Sequence, residues 1–184
     1  WALRSRTRWD PGAPVIRLDT SEVIDAIKGV IAPNLTPFNA DLSVDTGLFI
    51  AHAKDLLEQG CSGLAPFGTT GEALSIGMAE RMDALETLVR GGVDPARLIP
   101  GTGLTAVADT VTLTRHALSL GCAGAMILPP FYYKGVSDEG LFRAFAAIVE
   151  GVADARLKIY LYHIPPVAQV GLSLDLVTRL REAF

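Results

Sequence analysis

From Gly29 to the C-terminus the chain alternates short apolar runs with longer stretches of helical period, and it does so five times. The runs are Gly29 to Phe38, Gly63 to Gly68, Arg97 to Gly103, Ala123 to Tyr132 and Leu157 to Pro165, rich in Val, Ile and Leu and nearly free of charge. Successive side chains in a strand point to opposite faces, so a run that is apolar on both faces belongs to a strand covered on both sides, as in a parallel sheet flanked by helices. The stretches between carry one-sided apolar stripes: Phe49, Ile50, Ala53, Leu56 and Leu57 in one, Leu141, Phe142, Phe145, Ile148, Val149 and Val152 in another. Ser137, followed by Asp138 and Glu139, predicts a capped helix start with acids where the dipole favours them. Ser173 predicts the start of a last helix running to Phe184. Gly60, Gly91 and Gly121 stand where helices should stop and predict the left-handed residue that closes each of them.

An internal echo narrows the α/β reading. Gly60-Cys61-Ser62-Gly63 before the second run recurs as Gly121-Cys122-Ala123-Gly124 before the fourth, and Gly92-Val93 through Leu98 recurs as Gly151-Val152 through Leu157 before the fifth. Each echo spans two βα units, and alternation of odd and even strands is what a (β/α)8 barrel requires, because its interior layers draw on alternate strands. An open doubly wound sheet would want a glycine-rich phosphate turn after its first strand, and that turn reads Thr36-Pro37-Phe38-Asn39. A whole barrel takes about 250 residues. The 184 residues here hold five units, so the expectation is a partial barrel whose open parallel edges leave backbone groups unpaired.

Composition excludes several alternatives. With 49% hydrophobic residues and a mean hydropathy of +0.34 the chain is too apolar for disorder, and no apolar run approaches the roughly 20 residues of a membrane span. A net charge of −4 and a pI near 5.3 argue against nucleic acid or an anionic membrane surface as partner. Cys61 and Cys122 sit in apolar stretches and read as reduced core cysteines of a cytoplasmic protein. Residues 1–28 read as a tail with a short helix ahead of a barrel domain at 29–184. Their head lacks the apolar run of a secretory signal, and Asp10, Asp19, Glu22 and Asp25 offset the arginines that a transit peptide would show alone.

Working residues of parallel βα folds gather at the C-terminal strand ends. Strand two ends in Gly68-Thr69-Thr70-Gly71-Glu72, where Gly68 and Gly71 would let the main chain approach a ligand and the two hydroxyls, beside exposed N–H groups, would hold a carboxylate. The same stretch also reads as a tight turn with a threonine capping the next helix, and Glu72 as either a general base or a solvated acid. Tyr132, Tyr133 and Tyr162 stand at or just past strand ends, either passing protons to a reacting carbonyl or packing at the rim. His163, one residue beyond Tyr162, should point to the opposite side, toward the helices. His52 and His116 fall in helices as surface or packing groups, and no His, Asp and Glu cluster has metal-ligand spacing. Gly101-Thr102-Gly103 supports a weaker reading as a phosphate-binding barrel enzyme.

At these stretches the chain resembles the dihydrodipicolinate synthase / N-acetylneuraminate lyase family of pyruvate-dependent class I aldolases, from about Gly29 to Phe184. The resemblance is carried by Ala32 to Phe38 with Thr36-Pro37-Phe38, by Gly68-Thr69-Thr70-Gly71-Glu72 followed by Leu74-Ser75 and Glu80, by Pro130-Phe131-Tyr132-Tyr133 leading to Glu139-Gly140, and by Tyr162-His163-Ile164-Pro165. It implies a barrel in which a lysine at the end of strand six forms a Schiff base with pyruvate, without a cofactor, in a homo-oligomer, dimer or tetramer. By position, Thr69 and Thr70 would hold the pyruvate carboxylate and relay protons, Tyr162 would be the general acid and base, and Tyr132 would reach a neighbouring subunit's site. Tyr133 stays open for that last role, because the loop is one residue longer.

Two departures shape the expectation. The lysines are Lys28, Lys54, Lys134 and Lys158, none of which follows a sixth strand, so this chain is expected to lack the nucleophile and to be inactive alone. The synthase branch places an arginine two residues beyond the Pro of its Tyr-Asn-x-Pro motif; here that place is Val167, and His163 stands for the Asn. Both changes favour an aldolase or lyase whose aldehyde partner is less charged or larger. The alternative is an inactive paralogue or fragment that binds a 2-oxo acid or serves only as a subunit.

Overall fold

The computed structural model describes residues 27–184, so the expected tail and short helix at 1–28 lie almost wholly outside the described residues. Short parallel strands alternate with helices in chain order: β1 (Ile31–Ala32), α1 (Thr46–Glu58), β2 (Gly63–Leu64), α2 (Met78–Arg90), α3 (Val107–Ser119), β3 (Ala125–Ile127), α4 (Asp138–Val152), β4 (Ile159–Leu161), α5 (Pro165–Ala168) and α6 (Leu174–Ala183). β1 pairs with β2 and β3 with β4, both in parallel. The third apolar run lies between the pairs and joins them through parallel bridges Leu64 to Leu98 and Gly101 to Met126. The five runs therefore follow one another side by side as an arc of a (β/α) barrel, with β1 and β4 at its edges among the described residues.

The regular ladders are much shorter than the apolar runs, and the third run forms no named strand at all. The reason is proline. Pro33, Pro66, Pro100 and Pro129-Pro130 interrupt the first four runs, and a proline has no N–H to give the ladder. Their carbonyls still serve: Gly101 N–H donates to Pro66 (2.8 Å) and Met126 N–H to Pro100 (2.9 Å).

The predicted stripes are the buried faces. Phe49 and Ala53 of α1 are buried with Leu64, Leu88 and Leu98 in one cluster, and Leu141, Phe145, Ile148 and Val152 of α4 are buried with Ile127, Leu157 and Leu176 in a second. Burying such side chains is worth roughly 1.5–3 kcal/mol each, which fixes the helices on the outer side of the arc. Ser137 accepts from Gly140 N–H and Ser173 from Leu176 N–H, so both predicted caps form.

At the helix ends one prediction needs correction. Gly60 (φ +104°) and Gly121 (φ +86°) are left-handed, but Gly91 is right-handed (φ −71°) and Gly92 (φ +90°) makes the turn. The three ends then share one geometry, in which the residue after the glycine donates back five positions: Cys61 to Leu56, Val93 to Leu88 and Cys122 to Ala117. Gly91 is small for another reason: a Cβ there would meet Ile50 Cδ1 of α1 at 2.8 Å. The echoed cysteines are both free, yet they differ. Cys122 is buried, which pushes its thiol up to about 12, whereas Cys61 is only half-buried.

Candidate active site

The end of strand two is a turn held in an unusual conformation. Phe67 (φ +59°) and Glu72 (φ +49°) are both left-handed without being glycine, a state that costs roughly 1–2 kcal/mol each and persists only where the surroundings enforce it. The enforcing contacts are visible. Thr36, buried at the end of strand one, donates its hydroxyl to the Gly71 carbonyl at 2.8 Å; Ala73 N–H donates to Gly68 O and Glu72 N–H to Thr69 O, both at 3.2 Å. Arg81 of α2, only 4% exposed, donates its guanidinium to the carbonyls of Ala73 and Ile76. Among the described residues no carboxylate faces that guanidinium within ion-pair distance, and burial pushes its pKa below the usual range. Glu80, the neighbouring motif acid, accepts from Val44 N–H (2.8 Å) and braces the loop after strand one.

Beside this turn lies a cavity of about 210 Å³, lined by Gly68, Thr69, Glu72 and Tyr162 on its polar side and by Leu74, Met126, Leu128, Phe131, Val167 and Ala168 elsewhere. The fifth run, which contains β4, supplies the phenol just past that strand: Tyr160 and Tyr162 share the face opposite Ile159 and Leu161, which pack on the helix-side core. Tyr162 Oη donates to Thr69 Oγ1 at 3.2 Å, joining residues from strands five and two. Burial raises the Tyr160 phenol's pKa, against a hydrogen bond from the Ile27 backbone that lowers it, at the foot of the arc.

The structure thus unites Gly68, Thr69, Glu72 and Tyr162 around one space. It does not bring in the others. Thr70 is exposed and outside the lining, and Gly71 is buried against strand one, where a Cβ would meet Asn34 O at 3.0 Å; its smallness serves that contact. Tyr132 and Tyr133 are 72% and 75% exposed and pack edge to face on one another, centroids 5.1 Å apart. His163 is turned from the cavity and accepts Leu172 N–H on Nδ1 at 3.1 Å. His52 lies at 3.4 Å from Leu35 N–H, and His116 pairs with Glu86 of α2 at 3.0 Å. Gly101 and Gly103 line the cavity, while the Thr102 hydroxyl between them points away to Thr114 of α3 at 2.8 Å. None of the four lysines lines the cavity; Lys134 donates to Phe131 O and to Ala168 O (2.8 Å) at its border. Among the described residues there is no cluster of three or more His, Cys, Asp or Glu able to hold a metal ion. None of their helices is long and apolar enough to cross a membrane.

Sequence reasoning named Leu74, Phe131 and Val167 as motif positions but did not single out Met126, Leu128 or Ala168 as walls. Met126 and Leu128 carried a usable signal: counted by twos from Gly124 they share one face of strand four, the face opposite buried Ala125 and Ile127.

Comparison with known proteins gives this geometry a lineage. Residues 26–183 match the model of the dihydrodipicolinate synthetase family. An uncharacterized DapA-like lyase of Chloroflexus aurantiacus is 36% identical over 157 residues, covering 83% of this chain and 51% of that protein. A 4-hydroxy-tetrahydrodipicolinate synthase of Rhizobium meliloti is 34% identical over 156 residues, covering 85% and 52%. The crystal structure of dihydrodipicolinate synthase from Agrobacterium tumefaciens superposes with a TM-score of 0.82 at 38% identity, covering 85% of this chain and 55% of that one. A prophage protein of the same family from E. coli K12, solved in complex with pyruvate, gives 0.75 at 30% identity, covering 84% and 50%. The chain spans about half the length of the curated relatives it matches. From the joined strand ends and these likenesses together, the chain belongs to the dihydrodipicolinate synthetase family of lyases, and its fold is part of their (β/α)8 barrel.

Proposed function

We propose that this chain carries the oxo-acid-holding and proton-relay side of a pyruvate-dependent carbon–carbon lyase. The observation that carries the reading is the 3.2 Å hydrogen bond from Tyr162 Oη to Thr69 Oγ1 at the polar end of the cavity. In this reading Thr69, with the N–H groups of the turn, receives the carboxylate of pyruvate, and the strained frame around it keeps those donors aimed before the ligand arrives. Tyr162 then has a proton to deliver to, or accept from, a reacting oxygen, with Thr69 as the next hydroxyl in the relay. The covalent step of such an aldolase needs a desolvated lysine that condenses with the ketone. No lysine of this chain lines the cavity, so its own residues bind, orient and move protons. That placement also favours a second reading, in which the chain binds a 2-oxo acid or acts as a subunit without turning it over. Tyr132 and Tyr133, exposed and packed edge to face on each other, fit a role toward a neighbouring copy in a dimer or tetramer.

Calorimetric titration of this chain with pyruvate tests the reading. Millimolar or tighter binding that Thr69→Val weakens about tenfold, roughly one charge-assisted hydrogen bond, is the expected result. A folded chain that takes up no pyruvate overturns it. Borohydride reduction in the presence of pyruvate is expected to add no pyruvyl mass to this chain.

A further inference from the structure

We infer that Lys134 and His163, which lie outside the cavity lining, are the positioning residues of its α5 wall and together set the width of the cavity before any ligand arrives. α5 gives the cavity Val167 and Ala168. It is four residues long and opens on Pro165-Pro166, which have no N–H to give. Its backbone bonds stay local: Val167 and Ala168 N–H donate to Ile164 O (3.1 and 3.0 Å), Gln169 N–H donates to Pro165 O (2.8 Å), and left-handed Gln169 (φ +54°) then turns the chain. A helix this short is marginal by itself, so its place must be fixed from outside.

The chain is anchored on either side of α5. Before it, Tyr162 N–H donates to Ile127 O at 3.0 Å; after it, Val170 and Leu172 are buried in the cluster with Leu141 and Leu176. Two side chains place the segment between. At its base, His163 Nδ1 accepts Leu172 N–H at 3.1 Å, closing the excursion nine positions along the chain. An accepting Nδ1 leaves the proton of the neutral ring on Nε2. At its far end, the Lys134 ammonium donates to Ala168 O at 2.8 Å and also to Phe131 O, so one charge joins the carbonyls of two lining residues, one on the strand-four loop and one on α5. Hydrogen bonds from a charged donor are about twice as strong as neutral ones.

The test uses the ligand-free chain, which makes its result independent of the oxo-acid reading. The readouts are amide hydrogen exchange at Val167, Ala168 and Gln169 and the methyl resonance of 13C-labelled Met126, a lining residue, beside a urea midpoint for each variant. Lys134→Met should speed that exchange about tenfold and shift the Met126 methyl, with a midpoint near the parent's because Lys134 is exposed. Lys134→Arg, which keeps a charged donor, should restore both readouts. His163→Leu should loosen α5 in the same way, while His163→Asn, whose side-chain carbonyl can accept the Leu172 N–H, should match the parent chain. The 15N resonance of His163 Nδ1 should be that of an unprotonated acceptor nitrogen. Lys134→Ala and His163→Ala take the place of an apolar variant that does not fold. Either residue loses its role if its apolar variant folds with both readouts unmoved, or if its conservative variant fails to restore them.

Discussion

The ends of strands two and four border the same cavity and are built in opposite ways. The strand-two turn is bracketed by left-handed Phe67 and Glu72 and is tied down from three sides, by Thr36, by the Ala73 amide and by Arg81. The strand-four loop has Phe131 against the cavity and then Tyr132 and Tyr133 in solvent, where Lys134 supplies its tie to the α5 segment. Strain needs a frame that over-determines it, and a loop that touches little needs none. The chain therefore fixes the backbone of the turn that would meet an oxo acid, and leaves Tyr132 and Tyr133 facing outward.

The largest effect that would break this contrast is at Arg81. Arg81→Met keeps most of the volume but leaves the Ile76 carbonyl without its donor and the Ala73 carbonyl with the Ile76 N–H alone. At about 1–3 kcal/mol for the buried group left unpaired and about 1 kcal/mol for the second bond lost, partly offset by relief of burying an uncompensated charge, a net loss of about 2 kcal/mol is expected in urea unfolding. Thr36→Val removes one hydroxyl from the same frame and orphans the Gly71 carbonyl alone, so about 1 kcal/mol is expected. Both variants should also weaken pyruvate, because Glu72 and Phe67 then relax toward ordinary backbone conformations and Thr69 loses its aim at Tyr162. Unchanged pyruvate binding in a folded Thr36→Val variant would separate the frame from the ligand site.

What was legible in the sequence was what is decided locally. The stripes on α1 and α4 and the caps at Ser137 and Ser173 follow from residues within a turn or two of each other. The glycine-cysteine echo was legible too, as the same helix end made twice. Gly91 was misread because two adjacent glycines answer different demands, one of helix contact and one of backbone turn, and spacing does not tell them apart. The strand ladders were overestimated because apolar composition marks burial, while pairing depends on N–H groups that prolines lack. The strained turn could not be seen at all. Neither Phe nor Glu advertises a left-handed conformation, and what imposes it comes from Thr36, distant in sequence, and from a guanidinium on the next helix.

The smallest stability effect belongs to the strand-four loop, and it sharpens the contrast because it predicts a separation of observables. Tyr132→Ser and Tyr133→Ser each remove a side chain that is about three-quarters exposed and packs edge to face on the other. Loss of one edge-to-face pair in solvent amounts to about 0.5 kcal/mol or less, so urea midpoints should stay near that of the parent chain. Exposed neighbouring aromatics are enriched where surfaces meet, because each buries a large area with few rotamers to freeze. If the loop is finished by a second copy, the double variant should fold normally and bind pyruvate normally, yet shift toward monomer in sedimentation velocity. Loss of folding stability by several kcal/mol would instead show that the phenols brace their own chain, and the two strand ends would then be built alike.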